Sequence, residues 1–187
     1  ILENQSREHI GHWDRVRNLS VAIGSEMGLS VRELADIELA AMLHDIGKVG
    51  LPEELLAMAG PLSAEDRKKV EAHSLIGSAM IREIPGMEMI AEIVLSHHEA
   101  IDGSGYPRGL KFAEIPFGSL IIAVADAFDA MTHYRPYGIE RTYHESYNEI
   151  RRETGKYASE VLAALERVLR RLGILEAKPL VGTSEDW

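Results

Sequence analysis

Apolar residues recur at spacings of three and four along most of the chain, the signature of helices that bury one face. After Ser30, Leu34, Ile37 and Ala41 share a face with the polar His44, so His44 points inward. Several helix starts carry their own punctuation. Ser30 with Glu33 and Thr142 with Glu145 read as capping boxes, in which a hydroxyl and a carboxylate satisfy backbone donors left open at a helix N-terminus; Ser63 with Asp66 is a weaker version. The pattern predicts helices over 5–27, 31–46, 52–58, 64–84, 87–98, 117–131, 142–154 and 158–171. No stretch of useful length alternates as a strand would. The predicted class is therefore all-α, a compact helical bundle with short connections. The stretch 100–117, which carries Gly103, Gly105, Pro107, Gly109 and Pro116, is the exception. Loops of that length inside a compact domain are usually functional or disordered. Residues 173–187 read as a loosely ordered C-terminal tail, which leaves 1–172 as one domain.

Composition narrows the chemistry. The 187 residues are 45% hydrophobic and 27% charged, enough for one domain with a real core. There is no cysteine, which excludes disulfide scaffolds, iron–sulfur clusters and thiol nucleophiles, so any metal site must use nitrogen and oxygen ligands. Lys+Arg of 20 against Asp+Glu of 30 leaves a net charge of −10, which argues against binding a long nucleic acid. No apolar run approaches the roughly 18 residues that span a bilayer, and no signal peptide is visible. A soluble, cytoplasmic protein with no direct membrane insertion is expected. The first residue is Ile1, so a piece of a longer polypeptide is expected as well.

Five of the eight histidines lie in settings that suggest ligands. Glu8 and His12 are four apart on one helix, His44 is followed by Asp45, His73 is flanked by Val70 and Ile76, His97 and His98 close an apolar helix, and Asp126 ends the run Ile121-Ile122-Ala123-Val124-Ala125. Taken singly, His73 reads equally as a core histidine bonded to a carbonyl, Glu8 as a solvated acid, and Asp126 as a partner of Arg135. Number decides, because burying five imidazoles and three carboxylates without compensation costs several kcal/mol per ionised group. Divalent cations resolve that cost. Eight candidate ligands exceed one octahedral ion and point to two or three metals. Neighbours on a helix diverge by about 100°, so the pairs His44-Asp45 and His97-His98 suit a site wider than one ion. Nitrogen and oxygen ligands without sulfur favour iron or manganese over zinc or nickel. Two such ions clamp the oxygens of an in-line phosphoryl displacement, so the reaction class is phosphate ester hydrolysis.

The doublet His44-Asp45 within LHDIGKVGLPEELL resembles the signature of the HD metal-dependent phosphohydrolases, and HHEAIDGSGYP from His97 to Pro107 resembles the second signature of the HD-GYP family. The resemblance runs from Glu8 to Tyr137 and includes VADAFDAMTHYRPY. It implies an all-α cyclic di-GMP phosphodiesterase of bacterial signalling, yielding pGpG and, in many members, GMP. Its implied ligands are Glu8, His12, His44, Asp45, His73, His97, His98 and Asp126, with Asp45 bridging two metals and Glu8 permitting a third. Lys48, four residues after His44, can offset charge on phosphoryl oxygens. Asp45 and Lys48 are thus the expected catalytic residues, and Gly105, Tyr106, Pro107 and Arg135 the expected substrate contacts. Tyr106 reads either as a stacking partner for a base or as a packing anchor, and Arg135 either as a phosphate fork or as a salt bridge to Asp126 or Asp129. Gly138 stands where many members have a basic residue, which removes one phosphate contact. Bound ions would turn an acidic centre into one that attracts a dianionic dinucleotide. Two alternatives stay open: hydrolysis of another nucleotide, or a non-catalytic sensing module. A sensor or receiver domain outside this stretch, and homodimerisation, are compatible partners.

Overall fold

The computed structural model describes residues 11–56, 58, 61–133, 141–153 and 155–175. Among them nine α-helices follow in order: α1 His12–Glu26, α2 Val31–Leu43, α3 Glu53–Leu56, α4 Ala64–Glu71, α5 His73–Arg82, α6 Glu88–Ser96, α7 Phe117–Thr132, α8 Tyr143–Arg152 and α9 Ser159–Arg171. Two short 3-10 helices, Ile46–Gly50 and Phe112–Glu114, lie between them. The described residues contain no strand, only an isolated antiparallel bridge between Asp102 and Lys111.

The predicted punctuation forms. Ser30 and Thr142 each close a capping box with Glu33 and Glu145, and Ser63 accepts from the Asp66 amide. Such caps stabilise a helix by about 1 kcal/mol each. The main axis of the core is α7, which buries Leu120, Ile121, Ile122, Val124, Ala125 and Phe128 and packs against α1, α2, α6, α8 and α9. Helix α9 turns Val161, Ala164, Leu165, Val168 and Leu169 inward. On its outer side Arg167 and Arg171 both reach Glu26 of α1 at 2.8 Å. Past α9, Gly173 turns the chain at φ 71° and Leu175 is buried again. The described start of the expected tail is therefore packed, and 176–187 lie outside the described residues.

Two predicted helices divide differently. The 64–84 helix breaks at Ala72, because α4 buries none of its residues whereas α5 buries His73, Ser74, Gly77, Ser78 and Ile81. The 31–46 helix stops at Leu43, and the following 3-10 turn crosses α5 so closely that a Cβ on Gly47 would lie 1.9 Å from the His73 carbonyl oxygen.

The stretch 100–117 is ordered by one buried acid. The Glu99 carboxylate accepts from the Arg108 amide at 2.7 Å and from the Leu110 amide at 2.8 Å. Arg108 donates to Ser96 Oγ at 2.6 Å and pairs with Glu92. The amides of Ile101 and Asp102 donate to the carbonyls of Lys156 and Gly155, tying the loop to the α8–α9 turn.

Candidate metal centre

Five segments converge on one interior point. His12 opens α1, His44 ends α2 with Asp45 beside it, His73 opens α5, His97 ends α6 with His98 after it, and Asp126 lies along α7. Seven of the eight expected ligands come together, six of them in two groups: His73, His97 and His98, and His12, His44 and Asp126. Within each group the ligand atoms lie within 4.8 Å of one another. Asp45 is the seventh and stands between the groups. Its Oδ1 is 3.6 Å from His73 Nε2, and its Oδ2 is 3.6 Å from His44 Nε2 and 4.0 Å from His12 Nε2. Asp126 Oδ1 is 3.5 Å from His12 Nε2. Glu8 and Arg135 lie outside the described residues, as does Gly138.

The backbone sets the tautomers. His44, His73 and His97 each place Nδ1 against the carbonyl three residues earlier, Ala41, Val70 and Val94, at 2.7, 2.7 and 2.6 Å. A carbonyl only accepts, so each Nδ1 carries the proton and each Nε2 offers a lone pair to the centre. The carbonyl bond of His73 is therefore compatible with a ligand role, because the two use opposite ring nitrogens. His12 is oriented by Asp129, whose Oδ2 accepts from Nδ1 at 2.8 Å. Asp129 also accepts from Arg15 Nε at 2.6 Å and lies 2.9 Å from His133 Nδ1.

Burial favours the neutral form of three of the imidazoles. It pushes His97 well below its ordinary value, lowers His73, and lowers His98 to about 4, with neighbouring imidazoles adding to the effect. For Asp45 burial acts upward but is outweighed by His44, Lys48 and His73, which hold the carboxyl well below its usual range. For His12 burial acts downward and is outweighed by Asp129, Asp126 and Asp45, which raise it. Lys48 Nζ donates to Asp45 Oδ2 at 2.6 Å. Within the centre, the buried His44 Nε2 has no hydrogen-bond partner among the described residues. An orphaned lone pair among imidazoles and carboxylates, with no sulfur, fits divalent metal ions.

His97 and His98 depart from the expected divergence. Their ring centroids are 3.9 Å apart and both fall in one group with His73, because α6 ends at Ser96 and the helical 100° offset no longer separates them. Gly105 has a packing role besides. It lines the cleft, but its bare Cα is needed against protein backbone, since a Cβ there would lie 2.3 Å from the Ala100 nitrogen and 2.5 Å from the His98 oxygen. Pro107 follows through a cis peptide bond after Tyr106. The Tyr106 ring lies 4.7 Å from that of His98 and its amide donates to the His98 carbonyl, so it is anchored while it also lines the cleft. The cleft itself, about 340 Å³, takes in His97, His98 and Asp126, with Arg67 and Glu71 from α4 and Lys156 and Tyr157 from the α8–α9 turn. That volume lies in the range of small-molecule sites.

The profile of the family described as HD domain matches residues 1–161. The chain belongs to the HD domain family. Among relatives of this HD domain, a protein named cyclic di-GMP phosphodiesterase from Thermotoga maritima is 42% identical over 175 residues, 92% of this chain and 48% of that protein. A protein named 3'3'-cGAMP-specific phosphodiesterase 1 from Vibrio cholerae is 34% identical over 169 residues, 89% of this chain and 39% of that one. The HD domain thus spans about half the length, or less, of these curated relatives. In fold it is similar to a cyclic GMP-AMP specific phosphodiesterase of V. cholerae, with a TM-score of 0.70 at 22% identity over 92% of this chain and 46% of that one. The L. monocytogenes phosphodiesterase PgpH HD domain in complex with cyclic-di-AMP gives a TM-score of 0.62 at 18% identity over 93% of this chain and 95% of that one. Among the described residues no helix is long and apolar enough to cross a membrane.

Asp129 and Glu99 are the residues the sequence reading missed. Asp129 carried a signal, since it follows Asp126 by three positions and shares its face of α7. Glu99 lies within the HHEAIDGSGYP string, but its role was not legible because its partners are amides nine and eleven residues away.

Proposed function

We propose that this HD domain is a metal-dependent phosphodiesterase that opens cyclic di-GMP to pGpG, with GMP as a further product. The observation that carries this reading is the pair of ligand groups on either side of Asp45, of which His97, His98 and Asp126 open onto a cleft also lined by Gly105 and Tyr106. Glu8, His12, His44, Asp45, His73, His97, His98 and Asp126 would hold two or three divalent ions, iron or manganese before zinc or nickel. When bound, these ions supply Lewis acidity to the phosphodiester and attract its charge. The chain's own residues do the rest. Asp45 holds the two groups in register, and Asp129 fixes the ring plane of His12. Lys48, held at 2.6 Å from Asp45, is the candidate cation to offset charge on the phosphoryl oxygens. Tyr106 offers an aromatic face to a base, Gly105 and Pro107 hold it there, and Arg135 is the candidate fork for the second phosphate. Burial and the nearby Glu71 push the Tyr106 hydroxyl up, so it stays protonated and a donor at neutral pH.

A second reading, cleavage of the mixed guanine–adenine dinucleotide, is favoured by the 34% identity to the Vibrio relative named for it. Incubating metal-loaded protein with several cyclic dinucleotides and nucleoside triphosphates, with products identified by chromatography, separates these readings. Opening of cyclic di-GMP is expected; triphosphate cleavage without dinucleotide cleavage overturns both. A cytoplasmic setting and a fused sensor or receiver domain complete the proposal.

A further inference from the structure

Two charged residues of α4 line the cleft outside the metal and GYP machinery. Arg67 and Glu71 are one helical turn apart on α4 and both line the cleft. Helix α4 buries none of its residues, so core packing does not account for them. Their neighbours are occupied: Ser63 bonds Asp66, and Lys69 pairs with Glu65 and Asp66. Neither the Arg67 guanidinium nor the Glu71 carboxylate makes a hydrogen bond or ion pair with another described residue. Glu71 is half-buried and lines the same cleft as Tyr106.

We propose that Arg67 and Glu71 read the Watson–Crick edge of a base in the cleft and select guanine over adenine. This rests on the phosphodiesterase reading only for the class of ligand. Guanine presents the O6 acceptor beside the N1–H and N2–H donors. A guanidinium only donates and an ionised carboxylate only accepts, so the two match that order. Adenine reverses it, turning its N6 amino group toward the guanidinium and its N1 lone pair toward the carboxylate. Sites that leave their own polar groups unpaired against the wrong ligand reject it strongly. Small Ala123 and Ala127 of α7 also line the cleft and leave room for a planar ring.

The test uses metal-loaded protein titrated with hydrolysis-resistant phosphorothioate analogues of cyclic di-GMP and cyclic di-AMP. Wild type is expected to favour the guanine analogue. Glu71→Gln is expected to cut the ratio of the two dissociation constants roughly tenfold or more, the discrimination typical of a bidentate contact to a base edge. Helix content and metal content of the variant are measured beside it, and Glu71→Ala is expected to give the same loss. An equal ratio in wild type and both variants, or a wild type without guanine preference, overturns the inference. A ratio that falls as expected while wild type fails to cleave cyclic di-GMP supports the inference and overturns the phosphodiesterase reading instead.

Discussion

Gly47→Ala probes the link between backbone packing and the metal centre. A Cβ at position 47 would lie 1.9 Å from the His73 oxygen, 2.5 Å from the Gly77 nitrogen and 2.8 Å from the His73 carbonyl carbon. All three atoms are backbone, so no side chain can swing aside. Restoring ordinary contact requires α5 and the 3-10 turn to separate by about 1.5 Å, whereas metal-ligand distances tolerate only about 0.2 Å. His73 rides on α5, with Nε2 3.4 Å from His97 Nε2, so its group opens as the helix retreats. Overpacking of this kind costs about 1–3 kcal/mol, a drop of roughly 2–10 °C in Tm for a domain of this size. Thermal unfolding of metal-free protein and metal content per chain are the two assays. Gly50→Ala is the control, because its Cβ would meet only the Ile76 side chain, at 3.1 Å. A Gly47→Ala protein that melts with wild type and binds metal in full would refute the reasoning.

Further outcomes follow from the same geometry. Asp129→Asn should weaken metal binding by about 10- to 100-fold with helix content kept, read by competition with a chelator; unchanged affinity would reduce Asp129 to a tie between α1 and α7. Arg135→Ala should raise the substrate concentration needed for half-maximal rate more than it lowers metal content, and an unchanged dependence would assign Arg135 a structural role. In metal-free protein, the lowered values of His73, His97 and His98 give stability that is in place above their ordinary 6.5 and lost as pH falls, for His98 toward about 4. The raised value of His12 acts in the opposite sense, its contribution present below 6.5 and lost at higher pH. Three groups against one predict a urea midpoint that falls between pH 6.5 and 4; a midpoint that rises on acidification would contradict the burial argument.

What could be read from the sequence was local. Ser30 with Glu33 and Thr142 with Glu145 span three residues, so their caps were visible, as was the inward face that carries His44. The ligand types were legible because polar groups inside apolar periodicity stand out. Features set by tertiary contact were not. The break at Ala72 follows from α4 staying exposed while α5 packs, and the local pattern around Ser63 to Ile84 gives one continuous helix. His97 and His98 converge because the helix ends between Ser96 and the pair, a boundary finer than periodicity resolves. Gly105 was expected as a substrate contact, and only the fold shows that its bare Cα also seats the backbone of 98–100. No sequence pattern singles out Arg67 and Glu71, and only the fold brings them to the cleft.

The most direct test is metal content and cyclic di-GMP turnover measured together on wild type and Asp45→Ala, purified without added metal or chelator. The account predicts at least two divalent ions per wild-type chain and release of pGpG or GMP, with metal content reduced and turnover abolished in a folded Asp45→Ala protein. Full activity in Asp45→Ala, or a metal-loaded wild type that leaves cyclic di-GMP intact, would contradict it.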